Sequence, residues 1–208
     1  MPGPTAQTMP LLHRGSHRPR HGPCPDSIIN LNVFLSNTLG EGRLSVLGEL
    51  AVVELDKAVG ALRALWHGAR TRGAGDSGVP KRSDLPPEVL RPWLPNIAIV
   101  EAVPGGAGAP RFRVRLAGTA AVSFAGRDLT GSFLDEVTTP RLYPVTIAPY
   151  LKAIETRAPV EDDVLPDQFL GLEGTRLPVR RLVMPCTSNG SDIDQFVIGL
   201  FLYRPESQ

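Results

Sequence analysis

Cysteine and histidine are both scarce in this chain. The two cysteines, Cys24 and Cys186, stand far apart and form no CxxC pair. That leaves neither a disulfide framework nor a thiolate zinc cluster, and it fits a reducing, cytoplasmic setting. Of the four histidines, His13, His17 and His21 fall near the N-terminus, so His67 alone serves the rest of the chain. A Ser-His-Asp or Cys-His site needs a base within reach of the nucleophile's proton. His67 instead sits beside Trp66, close to basic residues that suit a helix C-terminus. A packing or capping role is expected there, and no catalytic residue is assigned.

An excess of charge is also missing. Twenty-two Lys and Arg against 21 Asp and Glu leave +1, so no global field favours nucleic acid or an anionic membrane. No long apolar run occurs either. Near the start, Ile28 to Leu35 is interrupted by Asn30 and Asn32, too short to span a bilayer and unlike a signal peptide. The expectation is a cytoplasmic protein with neither nucleic acid nor membrane as partner.

What remains, 208 residues with 42% hydrophobic content, suits one globular domain with extensions. Glycine and proline are unevenly spread. Residues 1–25 hold Pro2, Pro4, Pro10, Pro19, Pro23 and Pro25 and no acidic residue, so residues 1–45 are expected to be a disordered or irregular basic extension. The four-residue spacing of His13, His17 and His21 would align metal ligands on a helix, but Gly15 and Pro19 break that helix, and no metal is expected.

Residues 46–79 read as an amphipathic helix and linker. Leu50, Val53, Leu55, Ala58, Val59, Leu62, Leu65, Trp66 and Ala69 recur mostly at three- and four-residue intervals from Glu49 to Arg70. Arg70 and Arg72 suit the helix end, and Gly73 stops it. Asp84-Leu85-Pro86-Pro87-Glu88 has the form of a short helix capped by Asp84. The period then shortens to two. Residues 96–103 and Arg111 to Leu116 read as strands around a Gly/Pro-rich loop. Short helices and turns follow over 118–137, then a helix over 140–156 whose early part is irregular because Pro144 and Pro149 fall inside it. Residues 159–165, 177–186 and 193–203 read as three more strands. This is an α+β plan with a single antiparallel sheet.

Three stretches in this order carry a family likeness. The first is Leu65-Trp66, then Val79-Pro80-Lys81-Arg82-Ser83-Asp84-Leu85-Pro86-Pro87-Glu88 and Leu94-Pro95-Asn96. The second is Arg111-Phe112-Arg113-Val114-Arg115-Leu116-Ala117-Gly118-Thr119. The third is Gly126-Arg127-Asp128-Leu129-Thr130-Gly131 followed by Leu134-Asp135-Glu136. Together they cover about residues 62–137. They resemble a PAS-like family of mostly uncharacterised, often single-domain bacterial proteins, known mainly from alphaproteobacteria. The chain departs from that pattern in its 1–45 extension and at Ala125, where an aromatic is more usual. The resemblance implies a PAS-like fold over 80–205: a five-stranded antiparallel sheet with a helical middle, preceded by the amphipathic helix. It implies a sensory or regulatory module that binds a small molecule or protein partner, without an output domain. A small cavity-based enzyme and a purely structural dimerisation module are the alternatives.

No cofactor is expected. Haem-binding PAS domains usually ligate iron through a histidine of the long central helix, and 140–156 has none. Light-sensing flavin relatives use a cysteine in the helical middle, and 118–157 has none. Cys186, ending an apolar strand, is either a redox thiol beside a cation or, more in keeping with its position, a small buried hydrophobe. Glu161-Asp162-Asp163 reads as a solvated strand edge, and Gly126 to Gly131 as turns permitting positive φ. The ligand-binding candidates are Arg82, Asp84, Arg115 and Tyr150. Arg111, Arg113 and Arg115 share a strand face opposite Phe112, Val114 and Leu116. A buried Arg82 or Arg115 would hold a ligand anion or form an internal ion pair, the pair being favoured because buried charges are paired.

Phe196 to Tyr203 is apolar on both strand faces, so both faces need cover. The stripe of Glu49 to Arg70 is the candidate lid, with its remainder pairing in a homodimer that has Leu62, Trp66 and Phe201 in or near the interface.

Overall fold

The structure, a computed structural model, describes residues 44–164 and 178–203. The tail histidines, Cys24 and most of the 1–45 extension lie outside the described residues. Helix α1 spans Leu44–Gly73, longer than the periodicity predicts. After a 3-10 turn at Arg82–Asp84 come α2 (Pro87–Leu90) and a second 3-10 turn (Arg91–Asn96). Strands β1 (Ile97–Pro104) and β2 (Pro110–Ala117) follow. The helical middle holds α3 (Thr119–Ala125), α4 (Leu134–Val137) and α5 (Tyr143–Thr156). Strands β3 (Val160–Val164), β4 (Val179–Cys186) and β5 (Gln195–Leu202) end the described chain. Pro144 falls in the first turn of α5, where its missing N–H costs nothing, and the helix continues through Pro149.

The strands form one antiparallel sheet in the order β2-β1-β5-β4-β3. The last strand therefore occupies the centre, which is why its sequence is apolar on both faces. Phe196 and Ile198 join Val100, Phe112, Val114, Leu134, Tyr150, Ala153 and Val183 in a core beneath α5. Val197 and Phe201 point the other way, into a core with Leu182, Met184 and the α1 stripe Leu55, Val59, Leu62, Trp66 and Ala69. Helix α1 is thus the lid that the two-faced strand requires.

Two features fix that lid. Trp66 is fully buried, and its Nε1–H donates to the carbonyl of Pro185 at 2.7 Å, so the indole carries no unmet donor into the core. Opposite Leu62, β5 presents Gly199. A Cβ there would lie 2.8 Å from Leu62 Cδ2 and 2.8 Å from Phe201 Cε2, so glycine is what lets the helix approach the strand.

Three expectations need correction. Leu116 is 45% exposed rather than opposite the arginines in the core. Ile99 pairs with Leu116 but Val100 with Val114, so Arg115 is an extra, bulged residue, and such a bulge switches the faces beyond it. Asp84 does not cap α2, whose N-cap is Pro86; its carboxylate accepts the backbone N–H of Lys81 at 2.9 Å, closing the preceding turn. Leu62, Trp66 and Phe201 are 0%, 0% and 7% exposed within the single chain. They serve its own core, because covering the central strand consumes the apolar stripe, and a second subunit would meet other residues of α1.

Candidate functional site

Helix α5 directs Thr146, Pro149, Tyr150 and Ala153 toward the sheet, the i, i+3, i+4, i+7 set of one helical face. Tyr150 packs against two rings from the sheet, 5.1 Å from Phe112 and 5.3 Å from Phe196, which are 5.9 Å from each other. Into this layer β4 sends Arg181, 3% exposed. Its Nε and Nη2 donate to the two carboxylate oxygens of Asp162 at 2.8 and 2.6 Å, and its Nη1 donates to the carbonyl of Thr146 at 3.1 Å. The guanidinium carbon stands 5.7 Å from the centre of the Tyr150 ring. Such a fork matches a carboxylate in plane and compensates a buried charge that would be untenable alone. Burial works against the cation most strongly of any single cause, but the Asp162 hydrogen bonds and the attraction of Tyr150 and Asp162 together outweigh it, and the Arg181 pKa stays above its ordinary value. Burial likewise pushes the Tyr150 phenol up.

The neighbouring residues carry a second set of charges on the other face of the same strands. Arg180 donates to Asp163 at 2.6 Å and to Glu161 at 3.0 Å, and lies 3.5 Å from Asp56 of α1. Arg63 of α1 is also paired with Glu161. The run Glu161-Asp162-Asp163 is therefore not merely a solvated edge. Each carboxylate has an arginine: β4 places Arg181 and Arg180 directly across from Asp162 and Asp163, while Glu161, across from Leu182, is reached by Arg180 and Arg63.

The four predicted ligand residues do not converge. The Arg82 guanidinium donates to the carbonyl of Leu85, a local contact in the segment before β1, and Asp84 is spent on Lys81. Arg115 sits on edge strand β2, 3.4 Å from Glu101, which also pairs with Arg113. Arg115 is exposed, so its contact with Glu101 is a surface ion pair rather than the buried one expected, while Arg82 finds a carbonyl instead of a carboxylate. Of the four only Tyr150 lies beneath α5. Sequence reasoning passed over Arg181 and took Asp162 only as part of a solvated strand edge. The signal available was two adjacent arginines in one strand and three acids in the strand before it, a complementarity that fixes hairpin register.

The remaining reactive groups are occupied or exposed. Cys186 is fully buried, and burial pushes its thiol up to about 12, so it is a protonated core residue and not a redox thiolate. His67 is exposed and stacks edge-on to Trp66 at 5.1 Å. Gly126 and Gly131 have φ of 68° and 89°. Between them Asp128 accepts the Thr130 N–H at 2.9 Å, and the Gly131 N–H donates to Val114 at 2.7 Å, fastening the turn to β2. Among the described residues, no three His, Cys, Asp or Glu are grouped to hold a metal, and no helix is long and apolar enough to cross a membrane.

A family model described as PAS domain matches residues 56–188, from within α1 to just past β4. The chain belongs to the PAS domain family. The antiparallel sheet with its interposed helices is the α+β fold that the three sequence stretches imply. No curated protein shows significant similarity to this PAS domain.

Proposed function

We infer that this PAS domain is a sensory or regulatory module that binds a small molecule or a protein partner and signals through changed association. The observation that carries the reading is the α5 layer of a family member. A guanidinium, a carboxylate and a phenol sit beneath one helix, on the sheet face opposite α1. Polar groups kept in an apolar layer are individually costly, and functional sites are where proteins retain them. Tyr150 is the candidate contact for a bound molecule, and Arg181 with Asp162 holds the floor on which it packs.

The reading includes no haem or covalently reactive flavin, since α5 has no histidine and residues 118–157 no cysteine. It assigns no catalytic residue, and it takes the protein to be cytoplasmic, with neither nucleic acid nor membrane as partner. Association is assigned to the outer face of α1, where Gly60, Ala61 and Ala64 are exposed. Apart from the neighbouring backbone of α1 itself, nothing lies within 4 Å of where a Cβ at Gly60 would stand, so a second helix can approach closely there. A purely structural dimerisation module is the second reading, favoured by the mutual contact of the Phe112, Tyr150 and Phe196 rings.

Native mass spectrometry of the purified protein tests both at once. A dimer carrying a small-molecule increment, lost in Tyr150→Ala, supports the sensor. A dimer of bare mass, unchanged by metabolite extracts and by candidate partners, favours the structural module. A monomer with neither adduct nor partner sinks both.

A further inference from the structure

The loop between β4 and β5, residues 187–194, is seated against the linker that follows α1. The Gly190 carbonyl accepts the Ser77 N–H at 3.1 Å, and a Cβ built at Gly75 would stand 2.9 Å from the same oxygen. Thr187 ties the loop to the linker's far end, its N–H donating to Pro80 and its carbonyl accepting from Arg82. At the tip stand Asn189, which is exposed, and Gly190, with φ of 90°.

An asparagine followed by glycine is open to imide closure, because the attacking amide nitrogen has no adjoining Cβ to obstruct it. What this loop adds is a set of donors and acceptors around both reacting groups. The Asn189 Oδ1 accepts the N–H of Ser191 at 2.8 Å and that of Asp192 at 3.1 Å. Two backbone amides aimed at a carbonyl oxygen stabilise the charge that develops there when its carbon is attacked. Thr187 Oγ1 accepts the Gly190 N–H at 2.9 Å and donates its own proton to Asn189 Oδ1 at 3.0 Å. One hydroxyl therefore joins the nucleophile's proton to the oxygen that must receive one. Thr187 is 0% exposed, so bulk water does not compete for that bridge.

We propose that Asn189 and Gly190 form a self-modification site, at which the folded loop closes a succinimide through Thr187. The Gly190 nitrogen bonds to Cγ of Asn189, its proton passes to Thr187 Oγ1, and the threonine's own proton passes to Oδ1. The new hydroxyl on Cγ then returns a proton to the side-chain nitrogen, the Cγ–Nδ2 bond breaks, and ammonia leaves. Water opens the imide to aspartate or isoaspartate, so the net exchange is one water taken up for one ammonia released. This is a single-turnover change of the chain itself, and it goes beyond the sensory reading without resting on it. The isoaspartyl product carries an extra methylene in the main chain immediately before Gly190, whose carbonyl holds Ser77, so the modification falls where the linker is seated.

Timed incubation of the full-length protein at neutral pH, with peptide mapping by mass spectrometry, reads succinimide, aspartate and isoaspartate at residue 189. The folded chain is expected to react at least about 10-fold faster than Thr187→Val, within what a positioned proton-transfer group contributes. Thr187→Ser keeps the hydroxyl and should retain most of the rate. The folded chain should also outpace the same chain unfolded in urea, where the relay is gone. Should Thr187→Val fail to fold, the folded and urea-unfolded rates of the unsubstituted protein decide. An Asn189 that stays intact in the folded protein while the unfolded chain reacts, or a Thr187→Val loop that reacts faster, would show that these hydrogen bonds clamp the asparagine and overturns the proposal. A Thr187→Ser rate as low as that of Thr187→Val counts against the relay in the same way.

Discussion

The two faces of the sheet are built on different terms. Against α1, the core is almost wholly apolar: Leu55, Val59, Leu62, Trp66, Leu182, Met184, Val197 and Phe201, with the Trp66 indole donor satisfied by Pro185. Against α5, three aromatic rings, one of them the Tyr150 phenol, share their layer with a charged guanidinium and a carboxylate. Apolar burial contributes stability roughly in proportion to area, whereas a buried ion pair returns little beyond its own desolvation. The comparison teaches that apolar packing dominates the α1 face while the α5 face also carries a buried ion pair, although one central strand serves both.

The largest expected effect comes from the apolar α1 face. Trp66→Ala empties the centre of the α1 layer and leaves the Pro185 carbonyl unpaired. Urea unfolding should show a loss of about 3–5 kcal/mol for the cavity, with about 1–3 kcal/mol more for the orphaned acceptor. Trp66→Phe keeps most of the volume and isolates the second contribution. If Trp66→Ala cost no more than Ile198→Ala on the other face, the weight given to apolar packing against α1 would be wrong.

The α5 face should respond in a different pattern. Asp162→Leu strands a guanidinium in the interior, for about 3–5 kcal/mol of destabilisation, whereas adding Arg181→Met should restore most of it. Recovery in the double variant marks a pair kept for something other than stability. A double variant as unstable as the single one would make the pair an ordinary structural element and erase the contrast between the faces.

Close packing on the α1 face predicts a smaller effect. Gly199→Ala drives a methyl to 2.8 Å from both Leu62 and Phe201, an overpacking expected to cost about 1–3 kcal/mol. Trimming the helix side with Leu62→Val should relieve part of it. Additive losses in the pair, measured by a double-mutant cycle, would show that the two sites do not meet.

Most of the element order was legible because periodicity reports local backbone and burial together. The apolar-on-both-faces pattern of Phe196 to Tyr203 pointed to a covered strand and to α1 as the cover, as found. The places where the reading failed share a cause: each depended on a partner distant in sequence. Alternation along Arg111 to Leu116 cannot reveal that β1 supplies no counterpart for Arg115, so Leu116 was assigned to the wrong side. Asp84 before two prolines looks like a helix cap, and only the folded turn shows Lys81 claiming it. Arg181 was invisible as a buried residue because nothing local separates it from Arg180, yet one strand rung sends them to opposite faces. Arg82, Asp84, Arg115 and Tyr150 stand out by residue type, and residue type carries no information about convergence.

Alkaline titration compares the faces without cutting either core. Burial raises the Cys186 thiol on the α1 face from 9.0 to about 12, and raises the Tyr150 phenol on the α5 face above 10.0. Each is an acid whose folded pKa exceeds its unfolded one, so the native state keeps its proton where the unfolded chain has lost it. Stability from each group is therefore complete below the unfolded pKa and falls as pH rises through the interval to the folded value, with a limiting slope of about 1.4 kcal/mol per pH unit for each. The decline should begin near pH 9 with Cys186 and steepen above about pH 10 as Tyr150 joins it. In Cys186→Ala the onset should move up toward pH 10, and in Tyr150→Phe the early slope should remain while the steepening weakens. Urea midpoints between pH 8 and 10.5 resolve the two. An onset unmoved by Cys186→Ala would mean that the thiol already ionises in the native state, and that the α1 face is wetter than its packing implies.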